Sequence, residues 1–321
     1  MFLLFSVGPA NSQDIFSPSR HDPIPAELEA MYLKGLKYLT TTQSRDGSWT
    51  DNQGSQPGVV GLAVMAMMAH GEDPNLGPYA DHIKRGLDFI LRNSNRDNGY
   101  IGSSMYNHGF AALALAEAYG SVDDPRLGPA LQKAIDLILN SQRRNPNNAW
   151  RYSPESQDAD TTVSGAQVVA LFAARNAGLA VPDEAVVKAL RFFQRCQSAD
   201  GGIGYMGPDG PNSTRTAIGA LSWALAKQKD TQQFKNASAY LAGAGFATGH
   251  YPFYHEYYAA QAFFHMSEEA WNEWNARNMK YLATSQRPDG SWEGQHGSTF
   301  STAGALLSLA LNYRFLPIYE R

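Results

Sequence analysis

Apolar and polar positions alternate along this chain in two recurring kinds of segment. The first kind carries apolar residues at helical spacing with charges between them, as in Ile83, Leu87, Phe89 and Ile90. These segments run over Glu27–Thr42, Tyr79–Ser94, Arg126–Gln142, Asp183–Gln197, Thr231–Leu241 and Glu268–Gln286. The second kind is rich in Ala, Leu, Val and Met and almost free of charge. It covers Gly58–His70, His108–Tyr119, Thr162–Asn176, Thr214–Lys227, Tyr254–Met266 and Thr299–Asn312. A helix that is apolar all round is a buried one. The two kinds alternate strictly, so the pattern predicts six pairs, each with an amphipathic helix outside and a buried helix inside. Such pairs close into a double ring, an all-α (α/α)6 toroid of about twelve helices in a single domain.

A short motif sits between the members of each pair. It reads Gln43-Ser44-Arg45-Asp46-Gly47-Ser48-Trp49, then Gln197-Ser198-Ala199-Asp200-Gly201-Gly202-Ile203-Gly204-Tyr205, then Gln286-Arg287-Pro288-Asp289-Gly290-Ser291-Trp292. Weaker copies start at Asn95 and at Gln142, the latter ending in Trp150, and the spacing calls for a degenerate copy near Leu241. A period of roughly 45 to 55 residues marks an array of supersecondary units. Asp-Gly supplies a turn that tolerates positive φ. The glutamine amide is suited to bond exposed backbone at the helix end. Trp49, Trp150, Tyr205 and Trp292 are predicted to plug their turns onto the ring. Because Asp46, Asp200 and Asp289 recur in register, they belong to the repeat and not to an acid site.

Composition narrows the function classes. Hydrophobic residues make up 43% of the 321 and charged residues 17%, ordinary values for a globular chain. A chain of this length buries about three quarters of its unfolded surface. The net charge of −4 gives no basic footprint for nucleic acid. Cys196 is the lone cysteine, so an internal disulfide and a thiolate metal cluster are both excluded. It reads as a packed apolar residue. Met1–Val7 is a short apolar run followed by small residues to Gln13, too short to span a membrane. It has the look of the end of a signal peptide over residues 1–13, which implies export to the periplasm or beyond. The alternative is a ragged terminus on a cytoplasmic protein. Residues 14–26, with Pro18, Pro23 and Pro25, read as an irregular lead, and residues 27–321 as the toroid.

The repeats resemble the prenyltransferase and squalene-oxidase repeat, the "QW" motif of terpene cyclases and of protein prenyltransferase β subunits. The resemblance covers about Glu27 to Tyr313. It implies the toroid fold and, less specifically, an isoprenoid-handling activity. In the cyclases an Asp-x-Asp-Asp-Thr-Ala segment supplies the acid that protonates an alkene. Asp158, Asp160 and Thr162 match its first, second and fifth positions, and Thr161 stands in place of the third Asp. The resemblance thus makes Asp160 a candidate acid with Asp158 beside it. Two close carboxylates cannot both ionise, and one keeps its proton. The other reading is an N-cap, since Asp before Thr-Thr and an apolar run caps a helix well. An acid calls for a raised pKa, a simple cap for a lowered one.

The zinc ligands of the protein prenyltransferases have no counterpart here, so no metal or cofactor is implied. His250, His255, Glu256, His265 and His296 crowd the last quarter and read as packed or mouth-lining groups. Trp223, Tyr254, Tyr257 and Tyr258 are candidates for an aromatic cavity wall, where ring faces would accept an isoprenoid chain or stabilise a cation. Core packing is the competing reading. Arg151 and Arg215, near the starts of inner helices, are candidates for an anionic head group. Triterpene cyclases resemble two toroids in one chain, and this chain has one. The expectation is therefore a toroid with an apolar central cavity for a hydrophobic, isoprenoid-like ligand. The alternatives are a protein-binding scaffold and a carbohydrate-active enzyme built on the same ring of paired helices.

Overall fold

A computed structural model describes residues 24–52, 54–245 and 251–319. The signal-peptide segment, most of the irregular lead and His250 lie outside them. Twelve α-helices follow one another among the described residues. They are α1 (Ala26–Thr42), α2 (Pro57–Met68), α3 (Ala80–Arg92), α4 (Met105–Ala118), α5 (Leu127–Arg144), α6 (Thr161–Asn176), α7 (Asp183–Arg195), α8 (Ser213–Leu225), α9 (Gln232–Ala244), α10 (Pro252–Met266), α11 (Glu268–Ser285) and α12 (Ser298–Ala310). They coincide with the twelve predicted segments to within a few residues at each end. No described helix is long and apolar enough to cross a membrane.

The even-numbered helices form the inner ring. Each packs on the next, from α2 through α12, and α12 returns to α2 and closes the circle. Nearly every residue of α2, α4 and α12 is buried, as their uniform apolarity demands. The odd helices lie outside and bury one face. In α3 that face is Ala80, Ile83, Gly86, Leu87, Phe89 and Ile90. Small residues let the inner helices approach closely. A Cβ at Gly165 of α6 would stand 2.1 Å from Ile218 Cγ2 of α8.

The turns fasten the two rings together. Gln43 Nε2 donates to Gly47 O in its own turn and to His82 O of α3, at 3.1 and 3.0 Å. Gln142 makes the same double bond to Asn148 and Ala185 of α7, and Gln197 to Gly201 and Gln233 of α9. Gln286 reaches Gly290 and Met31 of α1, which seals the ring between its last and first outer helices. Each clasp thus links one outer helix to the next. Gly201 and Gly290 take positive φ values of 89° and 90°. An added Cβ at Gly290 would lie 2.2 Å from Lys34 O, so both the backbone and the neighbouring helix require glycine.

The tryptophans plug the turns as predicted. Trp49, Trp150 and Trp292 are fully buried, and their indole N–H groups donate to Leu39 O, Ile138 O and Leu282 O. Tyr205 does not do this. The residue six positions after Gln197 is Ile203, the same offset that separates Trp49 from Gln43 and Trp292 from Gln286. Ile203 is wholly buried, and its N–H donates to Thr216 Oγ1 of α8, as Trp292 N–H donates to Thr302 Oγ1 of α12. Tyr205 lies two residues further on and is released to line the cavity. The turn predicted near Leu241 falls at the end of α9, next to the undescribed residues 246–250.

Trp292→Ala should lower stability by about 3–5 kcal/mol, measured by chemical denaturation, because it empties a buried site. Tyr205→Phe should leave stability nearly unchanged. The opposite ranking would contradict a register in which Ile203, and not Tyr205, is the plug.

Candidate functional site

A cavity of about 660 Å³ opens on the axis of the ring at the N-terminal ends of the inner helices. The starts of those helices are fixed by caps. Ser104 caps α4 and Asn212 caps α8 through their own side chains. Pro57 and Pro252 occupy the first positions of α2 and α10. Asp51, in the loop after Trp49, reaches α12 and accepts from Thr299 N and Phe300 N at 3.1 and 3.0 Å. Tyr152 and Tyr251 are exposed at the mouth. Leu62 and Phe110 are buried at the deep end. Among the described residues that line the cavity, Asp51 is the only acidic one.

Asp160 caps α6. Its Oδ1 accepts from Thr162 N, Val163 N and the Thr162 hydroxyl, at 2.9, 2.8 and 2.6 Å. Its Oδ2 faces Arg151 Nε at 3.3 Å and accepts from the Tyr205 hydroxyl at the same distance. The carboxyl is wholly buried, and it lies behind Thr162 and Tyr205 rather than on the cavity surface. Its pKa is nonetheless raised, because desolvation outweighs the cap bonds and Arg151. Cap geometry and a raised pKa therefore occur together. The expected opposition between them fails because the cap reading took no account of burial. Asp158 is not among the causes of that rise. It is half exposed and pairs with Arg151 at 3.2 Å.

The remaining sequence candidates divide by position. Tyr254, His255 and Arg215 line the cavity. Arg151 stands behind the wall, with its guanidinium over the rings of Tyr152 and Tyr205 at 4.8 and 5.3 Å. Trp223 is a correction: it turns outward, edge-on to Phe193 of α7. Tyr257 and Tyr258 are corrections too, since they are buried in the ring and are not among the lining residues. All three follow from depth, because only the first turns of α8 and α10 reach the cavity.

The wall also includes Phe110, an aromatic residue of a predicted inner helix, Thr162, already marked as the fifth position of the cyclase-like segment, and three residues that carry no mark in the sequence pattern. Tyr106 and Phe110 of α4, Thr162 of α6, Phe300 of α12 and the loop residue Tyr152 all line the cavity. Four of the five lie in the first two turns of a buried helix, next to its cap, and that position is the signal that finds them. The hydroxyls of Tyr106 and Thr162 share a short hydrogen bond. Tyr152 and Tyr205 share another, at 2.5 Å.

His255 Nδ1 meets Thr214 Oγ1 at 3.1 Å, and its Nε2 stands 4.0 Å from Glu256. Burial pushes His255 down to about 4 and holds the Glu256 carboxyl well above its usual range. His255 is neutral at pH 7.

The chain belongs to the family described as a domain of unknown function, DUF6288, whose model matches residues 30–316. It is similar to the lanosterol synthase erg7A of Aspergillus fumigatus, with 28% identity over 152 residues. That match spans 42% of this chain and 19% of the synthase. Among solved structures it is similar to the type II terpene cyclase MstE from Scytonema in complex with geranylgeranyl dihydroxybenzoate. The TM-score is 0.63 and the identity 19%, over 90% of this chain and 98% of the other. It is also similar to the α-1,6-mannanase GH76A of Salegentibacter sp. HEL1_6, at a TM-score of 0.66 and 10% identity over 88% and 98% of the two chains. At these identities the structural likenesses show the fold: an α/α toroid of the squalene cyclase-like kind, shared with the mannanases.

The buried histidine sets a pH dependence. Unfolded histidine binds a proton near pH 6.5, whereas folded His255 resists it until about 4. Between those values the unfolded chain holds more protons, so acidification lowers stability. Melting curves between pH 7 and 4.5 should fall more steeply for the wild type than for His255→Gln. Parallel curves would contradict the assignment.

Proposed function

We propose that the central cavity binds a hydrophobic, isoprenoid-type molecule. The observation that carries this reading is the deep apolar wall of Val59, Leu62, Phe110, Tyr254 and Phe300, set below a more polar mouth. A concave apolar site with a few placed polar groups is the general form of a small-molecule pocket. The similar Scytonema cyclase was captured with a geranylgeranyl compound, and that supports the choice of ligand class.

We infer binding rather than acid-initiated cyclisation. An alkene is protonated by an acid that faces it. The lining carboxylate, Asp51, has both oxygens occupied at the start of α12. Asp160 is screened by Thr162 and Tyr205, with three donors on one oxygen. These features support an anchoring role for Asp160 and its partner Arg151. The carbohydrate reading draws on the mannanase likeness. Most glycoside hydrolases need two carboxyl groups flanking the bond they cleave, and the described residues place a single carboxylate on the lining, which speaks against it.

Native mass spectrometry with squalene, geranylgeraniol and α-1,6-mannotetraose distinguishes the readings. At least one of the isoprenoids should be retained, and the tetrasaccharide should not. Val59→Trp, which fills the cavity, should abolish retention while the protein stays folded. Asp160→Asn should change affinity less than about threefold, since Asn also caps. Retention of the tetrasaccharide alone would overturn the proposal.

A further inference from the structure

One wall of the cavity holds hydroxyl groups whose proton directions are fixed. The Thr162 hydroxyl donates to Asp160 Oδ1 at 2.6 Å. Thr162 has one proton to give, so in its short bond with Tyr106 the phenol must be the donor. The Tyr106 proton therefore points into the wall, and its oxygen presents only lone pairs to its other neighbours. Close by are the hydroxyls of Tyr254 and Tyr258, near enough to Tyr106 to influence its ionisation. Both are buried, and neither closes a hydrogen bond of ordinary length and angle with a described residue, although the Tyr254 hydroxyl lies near enough to those of Tyr106 and Tyr258 to bias their protons. Their rings stand 5.1 Å apart, edge to face. Burial holds all three phenols protonated far above neutral pH, so Tyr254 and Tyr258 each keep a proton to donate. A buried hydroxyl without a partner is costly. Here the orphan donors stand beside an oxygen that can only accept.

We propose that this wall is a subsite for the hydroxyl group of a hydrophobic alcohol, which enters the cavity hydroxyl-first. The inference rests on the isoprenoid-type reading and adds the chemistry of the ligand's buried end. A ligand hydroxyl donates to the Tyr106 oxygen and accepts from Tyr254, and so satisfies both. An ether or ketone can only accept and leaves Tyr106 unmatched. A carboxylate would meet the same lone pairs with Asp160 just behind them. Arg215 is engaged elsewhere, its guanidinium bonding Gly210 O and lying over the ring of Tyr205. A hydrocarbon leaves every group unpaired.

The test uses farnesol, its methyl ether and the hydrocarbon of the same skeleton, titrated calorimetrically into the full chain from cyclodextrin. Farnesol should bind at least tenfold more tightly than the ether. Tyr106→Phe should erase that difference by weakening farnesol alone. Tyr254→Phe, which removes a donor, should weaken farnesol and the ether together and leave the hydrocarbon within twofold. The second variant also serves if Tyr106→Phe fails to fold. Equal binding of all three probes would overturn the hydroxyl subsite and leave the isoprenoid reading standing. Binding of none would overturn both. A farnesol preference that survives Tyr106→Phe would likewise refute the assignment.

Discussion

Four of the six joins between neighbouring outer helices depend on a glutamine side chain. Each of Gln43, Gln142, Gln197 and Gln286 donates two hydrogen bonds, one to its own turn and one to the next outer helix. An outer helix shows the core only one apolar face and would otherwise slide along its neighbour. The clasp fixes that position with an interaction of defined direction. It works only because the turn lies flat against the next helix, which glycine permits at Gly290. A buried tryptophan then ties the turn back to the end of its own helix. With the outer ring held, the start of each inner helix has little freedom, and those starts enclose the cavity.

That arrangement sets the character of the cavity. Six helix N-termini converge on it, and each brings unpaired backbone N–H groups and a partial positive charge. The chain meets this demand with local caps. Asp160 and Asp51 are consumed in this way, one at α6 and the other across the loop at α12. The carboxylates of Asp51 and Asp160 are therefore bound to helix ends, and the rest of the described surface carries hydroxyls, amides, histidine, the Arg215 guanidinium and apolar side chain. Burial keeps His255, Tyr106 and Tyr254 neutral, and Arg215 bonds the backbone at Gly210 O. Such a surface suits an uncharged ligand with one polar end better than a polyanion or a glycan.

The fold is legible because the repeat writes it six times. Alternation between charged and uncharged helical segments assigns each helix to its layer, and the shared Gln and Asp-Gly positions locate the turns. The site is harder to read. Tyr205 is the aromatic residue nearest the motif and so looks like a plug, whereas the offset from Gln197 selects Ile203. Trp223, Tyr257 and Tyr258 lie on the right helices, but on faces or at depths that do not reach the cavity. A list of apolar residues does not contain the phase of a helix within a ring. Tyr106 and Thr162 depend on contacts between helices 56 residues apart in the chain, which no local pattern encodes. The capping role of Asp160 is visible in the sequence, while its raised pKa comes from burial that only the packed ring creates.

The most direct test of the central claim is a crystal structure of the chain grown with geranylgeraniol. The account predicts density for the isoprenoid between Phe110, Tyr254 and Phe300, with its oxygen against Tyr106. Density for the ligand on the outer surface, with none against those three side chains, would contradict it.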